Sequence, residues 1–241
     1  MKSNYLFLIL LLAVCSYGVT GCKKVQGSGP VVKEDRVVSS FTGVRTGIDG
    51  IVYVTQEGPH RLTIEAQQNI LNILETRVED GKLIIRYQSG KSVGAHDQVI
   101  VRVSTPSVAE LVVNGSGDLE TTNDIRSDNL VLKVNGSGRL GAKGVTVSRQ
   151  LFAEVAGSGD IQCLGGSANE GFYTVGGSGD IDMLPVEVRG LKATVSGSGS
   201  IKGKSILSLD AFISGSGNVW YDGNPGTINS KVTGSGRVRK I

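Results

Sequence analysis

Apolar and polar residues alternate on both sides of a Gly-Ser-Gly tripeptide that recurs seven times in the second half of the chain. Two residues before each tripeptide stands a β-branched residue: Val113, Val134, Val155, Val175, Val195, Ile213 and Val232. Four residues after its first glycine stands an aliphatic residue: Leu119, Leu140, Ile161, Ile181, Ile201, Val219 and Val238. Apolar residues at every second position predict strands with one buried face. Each tripeptide is therefore expected to form a corner between two strands.

The spacing of the tripeptides predicts how these strands are arranged. Their first glycines lie at 115, 136, 157, 177, 197, 215 and 234, so the repeat is 18 to 21 residues long. Such a repeat is typical of a solenoid, in which each copy is one coil of a stack. A coil then comprises a strand, the corner, a second strand and a variable loop. The predicted fold class is all-β, a parallel β-helix or β-solenoid, and a β-sandwich is the alternative.

Residues 31–110 are rich in β-forming residues but lack the repeat. Short β-branched runs at 52–54, 62–64, 83–85 and 99–101 predict strands, and Asp80-Gly81 predicts a tight hairpin. One helical turn fits 70–74, and 89–97 looks like an exposed loop. Since no linker separates this part from the repeats, 31–241 is expected to be a single β-solenoid domain. Residues 31–110 would form its N-terminal cap and irregular coils, and 111–241 its regular repeats.

The N-terminus resembles that of an exported bacterial protein. Lys2 precedes an apolar run at 5–14 that is too short to span a bilayer and fits a signal peptide. Residues 19–22 read Val-Thr-Gly-Cys, which is similar to a bacterial lipobox. We therefore expect removal of 1–21, lipidation of Cys22 and a tether over 22–30; the alternative is an ordinary secretory signal. Whether Gly27-Ser28-Gly29 is an eighth corner or part of the tether stays open.

Net charge and cysteine content argue against a nucleic-acid partner and against an internal disulfide. The formal net charge of +3 gives no reason to expect a nucleic-acid partner. With Cys15 in the signal peptide and Cys22 carrying lipid, Cys163 has no internal disulfide partner. Cys163 occupies an inward position, six residues after the first glycine of its tripeptide, and is expected to be a buried, unreactive thiol.

Several segments together resemble a known family. They are the lipobox, 36–44 (RVVSSFTGV), 52–56 (VYVTQ), 80–85 (DGKLII) and the Val-x-Gly-Ser-Gly repeats. In this combination the chain is similar, over roughly 30–241, to the head GIN domain family, described as putative auto-transporter adhesins. The resemblance implies a right-handed β-helix in cell-envelope lipoproteins of Gram-negative bacteria. It brings no catalytic residues.

One outward position carries candidate chemistry. Three residues after each first glycine stand Asp118, Arg139, Asp160, Asp180, Ser200, Asn218 and Arg237. Asp160 and Asp180 should be neighbours on successive coils, and paired carboxylates serve in acid–base catalysis. This allows an alternative function, a carbohydrate-active or carbohydrate-binding β-helix; the simpler explanation is a corner that favours Asp and Asn. The period does not fit a calcium-binding β-roll, so no metal or cofactor is predicted.

Outward aromatic residues indicate a second candidate surface. Phe152 and Phe172 stand at the same outward position of successive repeats and should stack on each other. Trp220 stands at a different outward position, five residues after the first glycine of its tripeptide; residues at one position of successive repeats form a column along the stack. The two phenylalanines either form an apolar contact for a partner or a second copy, or are a side patch covered by a loop. Trp220 either contacts a ligand or guards the C-terminal edge.

Together these features predict a lipid-anchored cell-envelope solenoid that acts as an adhesin or interaction surface, without catalytic activity. Its expected location is the outer membrane, on the periplasmic or the outer side, and its expected partners are the membrane through Cys22 and a protein or glycan ligand that the sequence does not identify. Self-association is also open. A lipid or small-ligand carrier is disfavoured, because aliphatic stacks are expected to fill the interior.

Overall fold

The protein is described by a computed structural model that covers residues 24–241, and strands make up nearly all of its regular structure. Cys22 and the predicted signal peptide lie outside the described residues. In the described part, no helix is both long and apolar enough to cross a membrane. The elements before the repeats are β1 (Lys24–Val25), β2 (Val31–Arg36), β3 (Gly43–Gly47), β4 (Ile51–Gln56), β5 (Arg61–Gln67), α1 (Gln68–Leu71), β6 (Leu74–Glu79), β7 (Lys82–Tyr87), β8 (Ser92–Val93) and β9 (Ile100–Thr105).

The repeats form parallel coils stacked in register, as the tripeptide spacing predicts. Val113 lies opposite Val134, which lies opposite Val155, and the same holds for the aliphatic residues after each corner. The all-β solenoid fold is thus confirmed. Its strands are β10 (Glu110–Gly115), β11 (Asp118–Thr121), β12 (Ile125–Gly136), β13 (Arg139–Ala142), β14 (Val145–Val155), β15 (Asp160–Cys163), β16 (Gly166–Val175), β17 (Ile181–Val195), β18 (Ile201–Gly215), β19 (Asn218–Asp222), β20 (Thr227–Gly234) and β21 (Arg237–Lys240).

Most coils of the repeats have a third strand segment, where the sequence predicts a variable loop. Ile125 pairs with Val145 at the start of β12 and β14, and a register shift follows before the next strand segment. Val145 and Val147 are buried, so this segment also contributes to the interior. Three flanks therefore enclose one core of aliphatic residues, and the expectation of a simple loop was wrong.

The corners are joined to one another through their backbones. The carbonyl oxygen of Gly136 accepts hydrogen bonds from the N–H groups of Ser158 and Gly159, both at 2.9 Å. The same pair of bonds recurs from each corner to the next, up to the last. This ladder holds successive coils at the spacing of a β-sheet, about 4.8 Å.

The N-terminal part forms an end cap whose spatial order differs from its order in the sequence. β3 and β4 stack in parallel on β10 and β11, so they form a coil with the irregular corner Ile48-Asp49-Gly50. β7 and β9 come later in the chain but lie beneath β3 and β4, further from the repeats. Antiparallel β6, β5 and β2 close this end. The predicted hairpin at Asp80-Gly81 joins β6 to β7, with both residues at positive φ.

Residues 24–29, which we call the strap, are bound to this end cap. β1 pairs with β8, and the N–H of Gly27 donates to the carbonyl of Ala95 at 2.8 Å. The side-chain amide of Gln67 donates to the carbonyl of Gly29 at 2.9 Å. Gly27-Ser28-Gly29 thus lies against the cap and is not a corner of the stack, which answers the question left open by the sequence.

Candidate ligand-binding groove

Asp160 and Asp180 are held by the backbone of the following coil. Each lies just after a corner, where its side chain reaches the next coil. Asp160 Oδ1 accepts a hydrogen bond from the N–H of Asp180 at 3.0 Å, and Asp180 Oδ1 accepts one from the N–H of Ser200 at 2.6 Å. In the described part of the chain, neither second carboxylate oxygen has a hydrogen-bond partner. Two fixed acceptors therefore line this flank.

These carboxylates lie in a surface groove of about 380 Å³ on the flank that follows the corners. Asp182 shares the groove, and its carboxylate lies 3.4 Å from the ammonium of Lys202. The other polar side chains are those of Arg139, Gln162 and Ser200. We call this site the flank groove. It combines acceptors and donors of hydrogen bonds along one face of the rod.

Trp220 closes one end of the flank groove. Register places it between Lys202 on the preceding coil and Arg239 on the following one. The Arg239 guanidinium lies 5.8 Å from the centre of the indole ring, within the range of a cation–π contact. The half-buried ring is thus braced from the C-terminal side, and it also lines the groove.

The predicted phenylalanine pair lies on a different flank, formed by the strands that precede the corners. The rings of Phe152 and Phe172 stack with centroids 4.9 Å apart and an interplanar angle of 16°, and both side chains are half-buried. The structure therefore brings Asp160, Asp180 and Trp220 together but keeps the phenylalanines apart from them.

The remaining titratable candidates lie away from the groove. His60 packs on Phe41 and His96 lies 3.4 Å from Asp49, both in the N-terminal part. Cys163 is buried, and burial raises the pKa of its thiol, so the neutral form is favoured. Within residues 24–241 there is no group of three or more His, Cys, Asp or Glu side chains that could hold a metal ion.

Three members of the groove are not among the candidates from the sequence: Gln162, Asp182 and Lys202. The signal was present in the repeat. Positions three and five after each first glycine point outward on the same flank, so their two columns line one surface. Only the two columns together combine carboxylates, cations and Trp220.

Comparison with known proteins defines the family. The sequence model described as "Putative auto-transporter adhesin, head GIN domain" matches residues 40–225. The chain belongs to this family. No curated protein sequence matches it.

Solved structures share the fold across nearly the whole described chain. A putative adhesin from Bacteroides fragilis NCTC 9343 is 25% identical, with a TM-score of 0.84, and the match covers 90% of this chain and 100% of that one. A putative lipid binding protein from Parabacteroides distasonis ATCC 8503 is 22% identical, with a TM-score of 0.75 and coverage of 91% and 100%. A putative adhesin from Parabacteroides merdae ATCC 43184 is 21% identical, with a TM-score of 0.71 and coverage of 90% and 99%. Membership of an adhesin-like family indicates a protein of the cell envelope or surface.

Proposed function

We propose that this protein is a lipid-anchored adhesin of the cell envelope that binds its partner through the flank groove and catalyses no reaction. The observation that carries the proposal is the groove itself, where fixed carboxylates, cations and an aromatic ring line an exposed face. The family description and the N-terminal sequence support the same function.

Lipid on Cys22 would hold the end cap close to the bilayer. Only Lys23 separates Cys22 from β1, and the strap is bound to the cap from Lys24 to Gly29. The lysines beside the lipid would favour anionic headgroups. The coils, and the flank groove with them, would then project away from the membrane, where a partner can reach them.

Substitution of Cys22 tests the anchor. The variant Cys22→Ser should lose incorporation of labelled palmitate and move from the membrane to the soluble fraction, since acyl chains hold the protein at the bilayer. Cys15→Ser serves as the matched control, because it changes a cysteine of the predicted signal peptide and should leave both properties intact. Membrane retention and labelling of Cys22→Ser would refute lipidation at this residue.

Adhesion is tested on intact cells. Cells that produce the protein should adhere to a partner surface better than cells that lack it, and external protease should degrade the protein and abolish the difference. We expect the outer side of the outer membrane as its location. If external protease cannot degrade the protein in intact cells, the protein does not adhere to other cells. Its partner would then lie within the cell envelope.

The alternative of a carbohydrate-active enzyme uses the same two aspartates. One oxygen of each is already bound to a backbone N–H, and neither histidine of the chain lies in the groove. We therefore expect no release of reducing ends from polysaccharides by the wild-type protein. Turnover that disappears in the double variant Asp160→Asn, Asp180→Asn would establish the enzyme instead.

The stacked phenylalanines offer a surface for self-association. Because Phe152 and Phe172 are half-buried on the rod surface, their replacement by serine should leave a folded monomer. Wild-type protein should then form more dimer than this variant in sedimentation velocity experiments. Unfolding of the variant in circular dichroism would show that the pair belongs to the core and would end this proposal.

A further inference from the structure

We infer that the ligand of the flank groove is a neutral polysaccharide chain that lies along the rod. This inference rests on the proposed function, since it names the ligand class of the same groove. Three properties of the groove carry it: its length along the coils, the fixed direction of its hydrogen-bonding groups, and its mixed charge.

The length of the groove fits an extended ligand. Arg139, Asp160, Asp180, Ser200 and Trp220 all line it and come from five successive coils. At the strand spacing of a sheet, these coils extend over roughly 19 Å. Sites for small molecules usually enclose most of the ligand surface, which an open groove along a flat flank does not. A chain that runs parallel to the stack contacts every coil in turn.

The carboxylates of the groove suit hydroxyl groups. Asp160 and Asp180 each use Oδ1 to accept a backbone N–H and keep Oδ2 for a ligand. A carboxylate oxygen accepts hydrogen bonds only, and a sugar hydroxyl is a donor. Because the backbone already holds these side chains, binding orders few additional rotamers, which favours affinity.

The other side chains of the groove complement the rest of a sugar. Gln162, Arg139 and Lys202 donate hydrogen bonds, which hydroxyl and ring oxygens accept. The indole of Trp220 presents apolar surface next to these polar groups, and Arg239 holds it in place. Aromatic rings pack against the apolar C–H faces of sugars, while nearby polar groups fix the orientation of the ligand.

The charge of the groove selects against a polyanion. Its side chains comprise three carboxylates, of Asp160, Asp180 and Asp182, and the two cations of Arg139 and Lys202. An acidic polysaccharide or a nucleic acid would place its charges beside these carboxylates, and like charges in contact disfavour a complex. A neutral chain avoids this repulsion.

Affinity electrophoresis of the full-length protein tests the inference. The protein is purified in a detergent without a sugar headgroup and run in gels that contain dextran, mannan, galactan or xylan, with polygalacturonate as the anionic comparison. At least one neutral polysaccharide should retard the wild-type protein. Trp220→Ala should weaken this binding about tenfold through loss of ring contact. The double variant Asp160→Asn, Asp180→Asn should weaken it to a similar extent while its amide oxygens still accept the backbone N–H bonds.

Tyr53→Ala is the matched control. Tyr53 lies in the same outward column as Trp220 and has Arg102 at 5.8 Å from its ring centre, but it does not line the groove. Retention of binding by this variant, together with loss in the two groove variants, supports the inference. Equal loss in all three variants, binding of polygalacturonate alone, or no retardation by any neutral polysaccharide overturns it.

The adhesion experiment separates this inference from the proposed function. Cells whose protein carries Trp220→Ala should adhere less than wild-type cells, and soluble neutral polysaccharide should compete with adhesion. If cells adhere through the protein but neither treatment reduces adhesion, the polysaccharide inference fails and the adhesin function stands. If the purified protein binds the polysaccharide but the cells do not adhere, the adhesin function fails alone.

Discussion

At the scale of single residues, the last glycine of each corner leaves no room for a side chain. A Cβ atom on Gly159 would lie 2.1 Å from the carbonyl oxygen of Gly138 and 2.7 Å from a methyl group of Val134. The obstacle is backbone that is itself part of the ladder, so it cannot rotate away. Gly141 lies on a strand of the neighbouring coil and differs, because its Cβ would come no closer than 3.7 Å to Glu120.

Alanine should therefore have different effects at these two glycines. Gly159→Ala should lower the free energy of unfolding by about 3 kcal/mol, since one coil must shift from the next. Gly141→Ala should leave it unchanged or raise it by about 0.5 kcal/mol through the unfolded chain. Urea denaturation followed by circular dichroism measures both. Equal stability of the two variants would show that the corner relaxes without cost.

Tyr173 is the largest side chain in the buried core, and the positions around it are small to accommodate it. Its ring packs against Gly171 and Gly203, at inward positions where most other coils carry larger residues. Its hydroxyl is buried and has no hydrogen-bond partner. Burial raises the pKa of this phenol above its ordinary value of 10.0. The ring of Tyr173 therefore fills the space beside the two glycines, whereas its buried, unpaired hydroxyl destabilises the folded state.

Removal of the tyrosine hydroxyl should stabilise the protein at Tyr173 but not at Tyr87. Tyr173→Phe should raise the free energy of unfolding by about 1 kcal/mol, because an unsatisfied group is removed. Tyr87→Phe should lower it by about 1 kcal/mol, because the Tyr87 hydroxyl donates to Asp49 at 2.7 Å. Urea titrations at neutral pH measure both; destabilisation by Tyr173→Phe would show that the hydroxyl is satisfied.

The same pair of tyrosines gives a pH dependence with a definite sign. The pKa values of Tyr173 and Tyr87 are both raised, chiefly by burial, so the folded state keeps protons that the unfolded state loses above about pH 10. The contribution of these two phenols to the free energy of unfolding is complete at pH values below the pKa of tyrosine in the unfolded chain. It falls as the pH rises above that value. Tyr173→Phe should reduce this alkaline loss in melts between pH 9 and 11.

At the scale of elements, the last two strands, β20 and β21, differ from all other repeat strands. No described residue pairs with the outer edge of either. Ile228 and Val232 are 46% and 41% exposed, whereas Leu209 and Ile213 one coil earlier are 0% and 2% exposed. Such an edge invites pairing with other chains, and natural sheets place cations there to prevent it. Lys231 and Arg237 are exposed on these strands.

Removal of these cations should promote association. Lys231→Thr together with Arg237→Thr should increase the oligomer fraction at equal concentration, since a β-forming edge loses its charge. Arg149→Thr with Arg189→Thr removes the same charge from strands that are paired on both sides, so it should not. Sedimentation velocity compares the two double variants. Similar behaviour would indicate that net charge, and not the edge, controls association.

The elements of the repeats could be predicted from the sequence, and those of the cap only in part. Apolar positions before and after each Gly-Ser-Gly set both the strands and their register. The third flank is not apparent from the sequence, because a register shift interrupts its alternation of apolar and polar residues, as between Ser127 and Asn129. In the cap, the runs that form β7 and β9 were recognised, but alternation alone does not tell which strand is the neighbour. Their place beneath β3 and β4 depends on contacts distant in sequence.

At the scale of the whole molecule, the groove could be assembled from the sequence only after the stack was known. Asp160 and Asp180 can be paired from the sequence, because they stand at the same position of successive repeats. Trp220 stands in another column and two coils beyond Asp180, so only the stacked geometry brings them into one site. The bond from each carboxylate to the next backbone could not be predicted, because it depends on the side-chain rotamer at the corner.

The stack also predicts that the rod tolerates loss of one complete coil. Deletion of 115–135 joins Asn114 to Gly136 and keeps the corner pattern, so stability should fall without loss of the fold, as nearest-neighbour contacts re-form. Deletion of 115–124 removes a corner and strand β11, so it opens the core on one flank and should abolish the fold. Thermal melts monitored by circular dichroism distinguish the two. If the variant that lacks 115–124 were as stable as the variant that lacks 115–135, the fold would not depend on complete coils stacked in register.

The strap also determines how the molecule bears mechanical load. If Cys22 carries the proposed lipid, drag on the coils would reach the bilayer through residues 24–29. The two-residue pairing of β1 with β8 is much shorter than the ladders between coils, so it should peel first. Six released residues extend by about 20 Å, a step that single-molecule pulling between Cys22 and the last coil should record before any coil unfolds. In the proposed lipid-anchored protein, the strap would act as a short extensible link between a stiff rod and a fluid membrane.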